Sequence, residues 1–377
     1  MSTQDYRPPI RADLAGERPY GAPQLDVDVR LNVNENPFAP PEVVVDAVLI
    51  DVRRTMAEAN RYPDRDFLGL RGDLASYLSR EAGVTITAEQ VWAANGSNEV
   101  MAHVMSAFGG PGRTAMTFPP TYSMYPEYAR ESFTELIEVP RLADFTIGLG
   151  SAVQAIADHR PNVVLLASPN NPTGTEVALD DIRRIVVAGA SVDAVVVVDE
   201  AYAEFRRAGV PSALELLDEY SNLIVTRTMS KAFAMAGVRL GYAAAHPRVV
   251  EALQIVRLPY HLSAITQAVA RAALANAHEL QAGLDTLRRE RDRLVADLAA
   301  RGLRVAPSDA NFCLFGVFTD RHATWRGLVD RGVLIRETGP QGWLRVSVGT
   351  PDENARFISA LDEVLADPVL GAKVVDE

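Results

Sequence analysis

Apolar residues recur at helical spacing from Pro41 to Glu58 and again from Leu68 to Ala82, and Asn60-Arg61-Tyr62-Pro63-Asp64 breaks the period between them. The pattern predicts two amphipathic helices joined by a loop that carries an aromatic ring and charges. Farther along, short apolar runs at Val163 to Ala167, Ala194 to Val198 and Leu223 to Thr226 alternate with helical stretches such as Asp180 to Ala188. Runs of strand length with no polar face read as strands buried on both sides, the pattern of a parallel sheet in an α/β fold. From Ser263 to about Ala300 the spacing of Val269, Leu280, Leu284, Leu287 and Leu294 predicts one long helical connection. It leads to a smaller C-terminal domain with strands at Asn311 to Phe318, Val333 to Arg336 and Trp343 to Val348, and helices at Thr324 to Arg331 and Asp352 to Ala366.

Six of the 23 prolines fall in the first 40 residues, where no helical period is visible, so this segment reads as an arm laid over the body. The expected division is residues 1–54 as the arm and part of a small domain, 55–262 as a large domain, and 263–377 as the connecting helix and small domain. With 377 residues and 48% hydrophobic content, the chain can bury a large core. A formal net charge of −12 argues against a broad nucleic-acid or anionic-membrane surface and leaves room for a local arginine pocket. A single cysteine, Cys313, excludes an intramolecular disulfide, and the polar start lacks the apolar core of a signal peptide. No apolar run approaches the roughly 18 residues of a membrane span. The expected location is cytoplasmic and the expected partners are small molecules.

The 37 Lys and Arg residues include only two lysines, Lys231 and Lys373. Arginine stays protonated, whereas a buried lysine can lose its proton and attack a carbonyl. Lys231 lies among hydroxyls and small apolar residues in Thr226-Arg227-Thr228-Met229-Ser230-Lys231-Ala232, which reads as a site. Two buried-strand candidates end in polar groups, where open α/β sheets place ligands. One runs into Ser168-Pro169-Asn170-Asn171-Pro172-Thr173-Gly174 and the other into Asp199-Glu200-Ala201-Tyr202. After Val91-Trp92-Ala93-Ala94, the segment Asn95-Gly96-Ser97-Asn98-Glu99 reads as a strand-to-helix turn with Ser97 or Asn98 as N-cap, a start that favours a phosphate. An amine, a carboxylate, an amide and a phenol suit an aldehyde cofactor with a basic ring nitrogen, such as pyridoxal phosphate. Two glycine clusters, Gly109-Gly110-Pro111-Gly112-Arg113 and Gly148-Leu149-Gly150, lack nucleotide-binding signatures and read as turns. The six histidines are scattered without metal-ligand spacing.

In these motifs the chain resembles the fold-type I aminotransferases, and more closely the histidinol-phosphate aminotransferases among them. The resemblance runs from about Tyr20 to Asn354. It rests on Leu31-Asn32-Val33-Asn34-Glu35-Asn36-Pro37, Arg61-Tyr62-Pro63-Asp64, Pro120-Thr121-Tyr122-Ser123-Met124-Tyr125, Ser168 to Gly174, Asp199-Glu200-Ala201-Tyr202, Arg227 to Gly241 and Leu344-Arg345-Val346-Ser347-Val348-Gly349. It implies a large domain with a mainly parallel sheet flanked by helices, a smaller α/β domain, and a homodimer with the site at the subunit interface. Lys231 would form the imine with the cofactor aldehyde and shuttle the proton, and Asp199 would pair with the ring nitrogen. Asn171 and Tyr202 would bond the ring oxygen, and Tyr122 would stack on the ring. Around the phosphate it implies Gly96, Ser97 and Asn98, the hydroxyls of Thr228 and Ser230, Arg239, and Tyr62 from a second subunit.

The same resemblance makes Arg345 the anion ligand of the substrate, assisted by Arg336, Tyr20 and Tyr62, with Asn34 and Glu35 bordering the imidazole side. A guanidinium can hold either the phosphate of histidinol phosphate or a carboxylate of glutamate. The implied reaction is reversible transamination between L-histidinol phosphate and 2-oxoglutarate in histidine biosynthesis. Aromatic amino acid aminotransferases share most of these motifs and stand as the alternative. A pyridoxal-phosphate decarboxylase and a cofactor-binding regulator are further ones, and the short arm leaves no room for the regulator's DNA-binding domain.

Overall fold

The chain enters the fold through β1 (Val29–Arg30), which pairs in parallel with β11 (Val333–Leu334), so the two ends of the sequence meet in one small unit. The computed structural model describes residues 8–17, 19 and 21–367. After β1 come α1 (Glu42–Met56) and α2 (Leu68–Ala82), close to the expected helices, with the predicted loop between them.

The main sheet has seven strands in the order β2-β8-β7-β6-β5-β3-β4. These are β2 (Val91–Ala94), β3 (Thr114–Thr117), β4 (Glu135–Glu138), β5 (Val163–Ala167), β6 (Val195–Asp199), β7 (Leu223–Thr228) and β8 (Gly241–Ala245). Five neighbouring strands pair in parallel, while β8 runs antiparallel to both β7 and β2. The sheet is therefore mainly parallel, as expected. Every residue of β5 and β7 is buried, and each fully buried valine or leucine contributes about 1.5–3 kcal/mol. Helices α3 (Ser97–Phe108), α4 (Tyr125–Glu131), α5 (Leu149–His159) and α6 (Leu179–Ala190) connect the strands, and α7 (Pro247–Val256) follows β8. Leu149 and Gly150 open α5, so Gly148-Leu149-Gly150 is a helix start and not the expected turn.

The stretch from 263 to 300 is not one helix but three: α8 (Ala264–Ala275), α9 (Ala277–Gln281) and α10 (Leu284–Ala299). The second break falls at Gly283, where a Cβ would lie 3.1 Å from the Phe38 ring, so the arm packs into the gap. The C-terminal sheet runs β12-β10-β9, all antiparallel, from β9 (Arg304–Val305), β10 (Phe312–Gly316) and β12 (Leu344–Ser347). Helix α10 packs on β9 and β10, and α11 (Arg321–Asp330) and α12 (Pro351–Ala366) complete the core on that side. Asp320 caps α11, and a Thr350/Glu353 capping box with Pro351 in the first turn starts α12.

Among the described residues two large hydrophobic cores result, with a small third cluster of Phe145, Ala306, Leu314 and Trp343 beside them. The larger takes the main sheet and reaches Leu284 and Leu287, while the smaller joins Val29 and Leu31 to Leu294, Leu298, Phe315, Phe357 and Leu361. Helix α10 thus belongs to both. Among the described residues no helix is long and apolar enough to cross a membrane.

Candidate active site

The carboxyl ends of β5, β6 and β7 open into a cavity of about 460 Å³ that the arm and β12 close from the other side. Lys231, Asp199, Tyr202, Asn171, Tyr122, Ser97, Asn98, Thr228, Ser230, Arg239, Asn34, Glu35, Arg336 and Arg345 all line it. One cavity therefore gathers residues from across the chain. Gly96 lies just behind the wall. Tyr62 does not reach this cavity: it is 80% exposed and stacks on Tyr260 with ring centroids 4.4 Å apart. Tyr20 lies outside the described residues.

Lys231 Nζ donates to the Val33 carbonyl oxygen at 2.9 Å, which ties the amine to the arm. Burial, then the Arg345 guanidinium, pushes its pKa down to about 8, and only Glu35 pulls the other way. A substantial share of this amine is consequently neutral near pH 8, the form that can attack a carbonyl.

Asp199 closes β6. Its carboxylate accepts from Thr226 Oγ1 at 3.2 Å, Tyr125 Oη at 3.3 Å and the Ala201 backbone N–H at 3.2 Å. Burial pushes its pKa up to about 6 against the pull of these donors. All three donors are neutral, so a cation is the partner that would hold this buried carboxylate ionised. A protonated pyridine nitrogen is such a partner.

Opposite the carboxylate, α3 begins at Ser97 with Gly96 as N-cap, and no side chain caps it. The expectation that Ser97 or Asn98 is the cap is thus corrected. Gly96 takes φ +82°, a conformation that disfavours any side chain, and a Cβ there would lie 2.5 Å from the Arg239 guanidinium. A Cβ on Gly241 would lie 2.1 Å from the Ser97 backbone nitrogen, so β8 must present glycine to let the helix start approach. Thr228 Oγ1 donates to Ser230 Oγ at 3.0 Å, and Arg239 Nη1 donates to the same Ser230 oxygen at 3.3 Å. Uncapped N–H groups, two hydroxyls and a guanidinium form a cradle suited to a dianion. The donor set therefore fits pyridoxal phosphate at both ends.

Tyr202 Oη accepts from Asn34 Nδ2 at 3.1 Å and Asn171 Nδ2 at 3.5 Å. Asn34 takes φ +56°, which asparagine tolerates, and is fixed by Ser347 and by Asn311, whose Nδ2 donates to its carbonyl at 3.1 Å. Arg345 is buried, donates to Asn171 Oδ1 and to the Asn32 carbonyl at 2.9 Å, and its guanidinium lies over the Phe312 ring. Arg336 pairs with Arg345 through a backbone bridge, which sets two guanidinium groups on one wall.

Sequence reasoning gave no role to Tyr125, Thr226 or Tyr128, although Tyr125 stands inside a motif it singled out. It also missed the charge network behind Asp199. There Arg227, 1% exposed, bonds Glu200 at 2.6 Å, Glu81 at 3.0 Å and Glu204 at 3.3 Å, and Arg206 reaches Glu81 at 3.2 Å. The only signal in the sequence was a set of charges on otherwise apolar segments.

The family model described as "Aminotransferase class I and II" matches residues 27–361. A histidinol-phosphate aminotransferase of Burkholderia lata is 56% identical over 358 residues, 95% of this chain and 96% of that protein. The enzyme of that name from Thermobifida fusca is 57% identical over 353 residues, 94% of each chain. Among solved structures, histidinol-phosphate aminotransferase from Sinorhizobium meliloti in complex with pyridoxal-5′-phosphate superposes with TM-score 0.77 at 26% identity, covering 90% of this chain and 91% of that one. The chain belongs to the class I and II aminotransferases, and within them to the histidinol-phosphate aminotransferases.

Proposed function

We propose that the chain catalyses the reversible transfer of an amino group from L-histidinol phosphate to 2-oxoglutarate, giving imidazole acetol phosphate and L-glutamate in histidine biosynthesis. The observation that carries this reading is the convergence of Lys231, Asp199 and the Arg336/Arg345 pair on one cavity. The names and identities of the relatives support it.

Pyridoxal phosphate, when bound, supplies an aldehyde to receive the amino group and a ring that withdraws electrons from the neighbouring carbon. Lys231 Nζ would hold that aldehyde and, once displaced by substrate, take the proton from the substrate Cα. Asp199 would keep the ring nitrogen protonated. Tyr202 and Asn171 would donate to the ring oxygen, and Tyr122 would cover the ring face. Gly96, Ser97, Asn98, Thr228, Ser230 and Arg239 would hold the phosphate. Arg345 and Arg336, assisted by Tyr20, would bind the phosphate of one substrate and a carboxylate of the other, with Asn34 and Glu35 along the imidazole side.

The same reading makes the protein a cytoplasmic homodimer. Val43, Val45, Leu49, Ile50 and Met56 leave an exposed apolar surface on α1, and Tyr62, Ile255 and Leu258 are more than three-quarters exposed. A second copy seated there would bury this surface and carry Tyr62 toward its own cofactor phosphate. It also keeps the division into an arm (1–54), a large cofactor-binding domain (55–262) and a C-terminal part (263–377).

The test is a single-turnover absorbance scan of the loaded enzyme mixed separately with L-histidinol phosphate and L-phenylalanine. Rapid change of the cofactor band with histidinol phosphate alone is expected, with the Arg345→Ala variant starting from the same band but needing far more substrate. Rapid change with phenylalanine alone would move the function to aromatic transamination, and no change with either would end the reading.

A further inference from the structure

One short helix carries two buried phenols that reach opposite ends of the cofactor pocket. Tyr125 and Tyr128 stand three residues apart on α4, a spacing that puts both on one face. Tyr125 Oη donates to Asp199 Oδ2 at 3.3 Å, at the ring-nitrogen end. Tyr128 Oη donates to Asn98 Oδ1 at 2.9 Å, at the phosphate end. The same Asn98 oxygen accepts from Tyr122 Oη at 3.4 Å. With phenols on its oxygen, the Asn98 amide is left with Nδ2 as the end that donates toward an anion. Burial pushes both phenol pKa values well up, so each stays a hydrogen-bond donor at any working pH.

Both rings also belong to the large core, and packing alone would account for their burial. It would not account for where the hydroxyls end, each on the oxygen of a residue that lines the cavity. We infer that Tyr125 and Tyr128 are positioning residues for the cofactor, Tyr125 holding the Asp199 carboxylate and Tyr128 holding the Asn98 amide, so that α4 fixes the two ends of the pocket relative to each other. The inference rests on the assignment of Asp199 and Asn98 to the ring and phosphate ends.

Phenylalanine at either position keeps the packed ring and removes only the hydroxyl. The experiment measures the dissociation constant of pyridoxal phosphate from cofactor-depleted wild type, Tyr125→Phe, Tyr128→Phe and Asp199→Asn between pH 6 and 9. Losing a donor raises the Asp199 pKa further, so Tyr125→Phe should weaken binding about tenfold at pH 6 and only about twofold at pH 9. Tyr128→Phe removes a donor from the Asn98 amide, which does not titrate, and should weaken binding about three- to tenfold at every pH. Taking ratios to wild type cancels the titrations of the cofactor and of Lys231. A flat ratio for Tyr125→Phe overturns its role toward Asp199, and an unchanged constant for Tyr128→Phe overturns its role toward Asn98. If Asp199→Asn itself binds as tightly as wild type, the underlying site assignment fails instead.

Discussion

Replacing Lys231 by methionine should stabilise the cofactor-free protein at pH 7, and the gain should disappear as the pH approaches 10. The amine has a pKa of about 8 in place of the ordinary 10.5, chiefly through burial and then through Arg345. Below pH 8 it is charged in both folded and unfolded chains, and the folded state bears the full cost. Between pH 8 and 10.5 the folded protein releases a proton that the unfolded chain keeps, and the cost fades. At about 1.4 kcal/mol per tenfold, the gap amounts to roughly 3 kcal/mol. The side chain keeps some surface on the cavity, so water screens part of this and about 2 kcal/mol is expected. The variant also loses the 2.9 Å bond to Val33, which costs about 1 kcal/mol. The net expectation is a gain of about 1 kcal/mol at pH 7, turning into a small loss near pH 10. Urea unfolding of both cofactor-free proteins at four pH values measures it. A stability difference that does not move with pH, or a wild type that is the more stable at pH 7, would refute the reasoning.

Two further substitutions probe the frame around the site. Arg227→Met leaves Glu200, Glu204 and Glu81 facing one another with Arg206 as the one cation still paired to them among the described residues, and should cost about 3–5 kcal/mol in urea unfolding. A loss below about 1 kcal/mol would mean that the network is balanced without its central cation. Gly241→Ala drives a methyl group against the Ser97 nitrogen, so α3 must retreat; we expect at least a tenfold weaker hold on pyridoxal phosphate, with about 1–3 kcal/mol of lost stability. Unchanged cofactor affinity would show that the approach of β8 to the helix start is not critical.

Strands β5, β6 and β7 were legible because burial on both faces forces unbroken runs of Val, Leu and Ile. Strand β8, Gly-Tyr-Ala-Ala-Ala, was not, because its first residue is chosen for a contact with Ser97 and its alanines carry little strand preference. The break at Gly283 was not read either: the residue packed against it, Phe38, lies far outside any local window. Lys231 stood out through the scarcity of lysine, and the ends of β5 and β6 through polar groups following apolar runs. Tyr125 could not be told from a core aromatic, since nothing beside it in the sequence announces Asp199 as its acceptor. The Arg227 network joins Glu81, Glu200 and Glu204 from separate elements, so its pairing exists only in three dimensions.

The position of β8 also dictates an order of assembly during synthesis. Among the described residues strand β2 has β8 as its one neighbour in the sheet, with Ala94 paired to Gly241. At roughly 5–20 residues per second, β2 leaves the ribosome on the order of ten seconds before its partner does. All four of its residues are apolar and end up buried, so the nascent chain carries a sticky, unpaired edge through that interval, the kind of segment that chaperones shield. The phosphate cradle follows directly from β2 and depends on Gly241 for its shape. The helix start at Ser97 therefore takes its final shape among the last parts of the main sheet, and on the proposed reading a chain ending before β8 would lack the finished cradle for the cofactor phosphate.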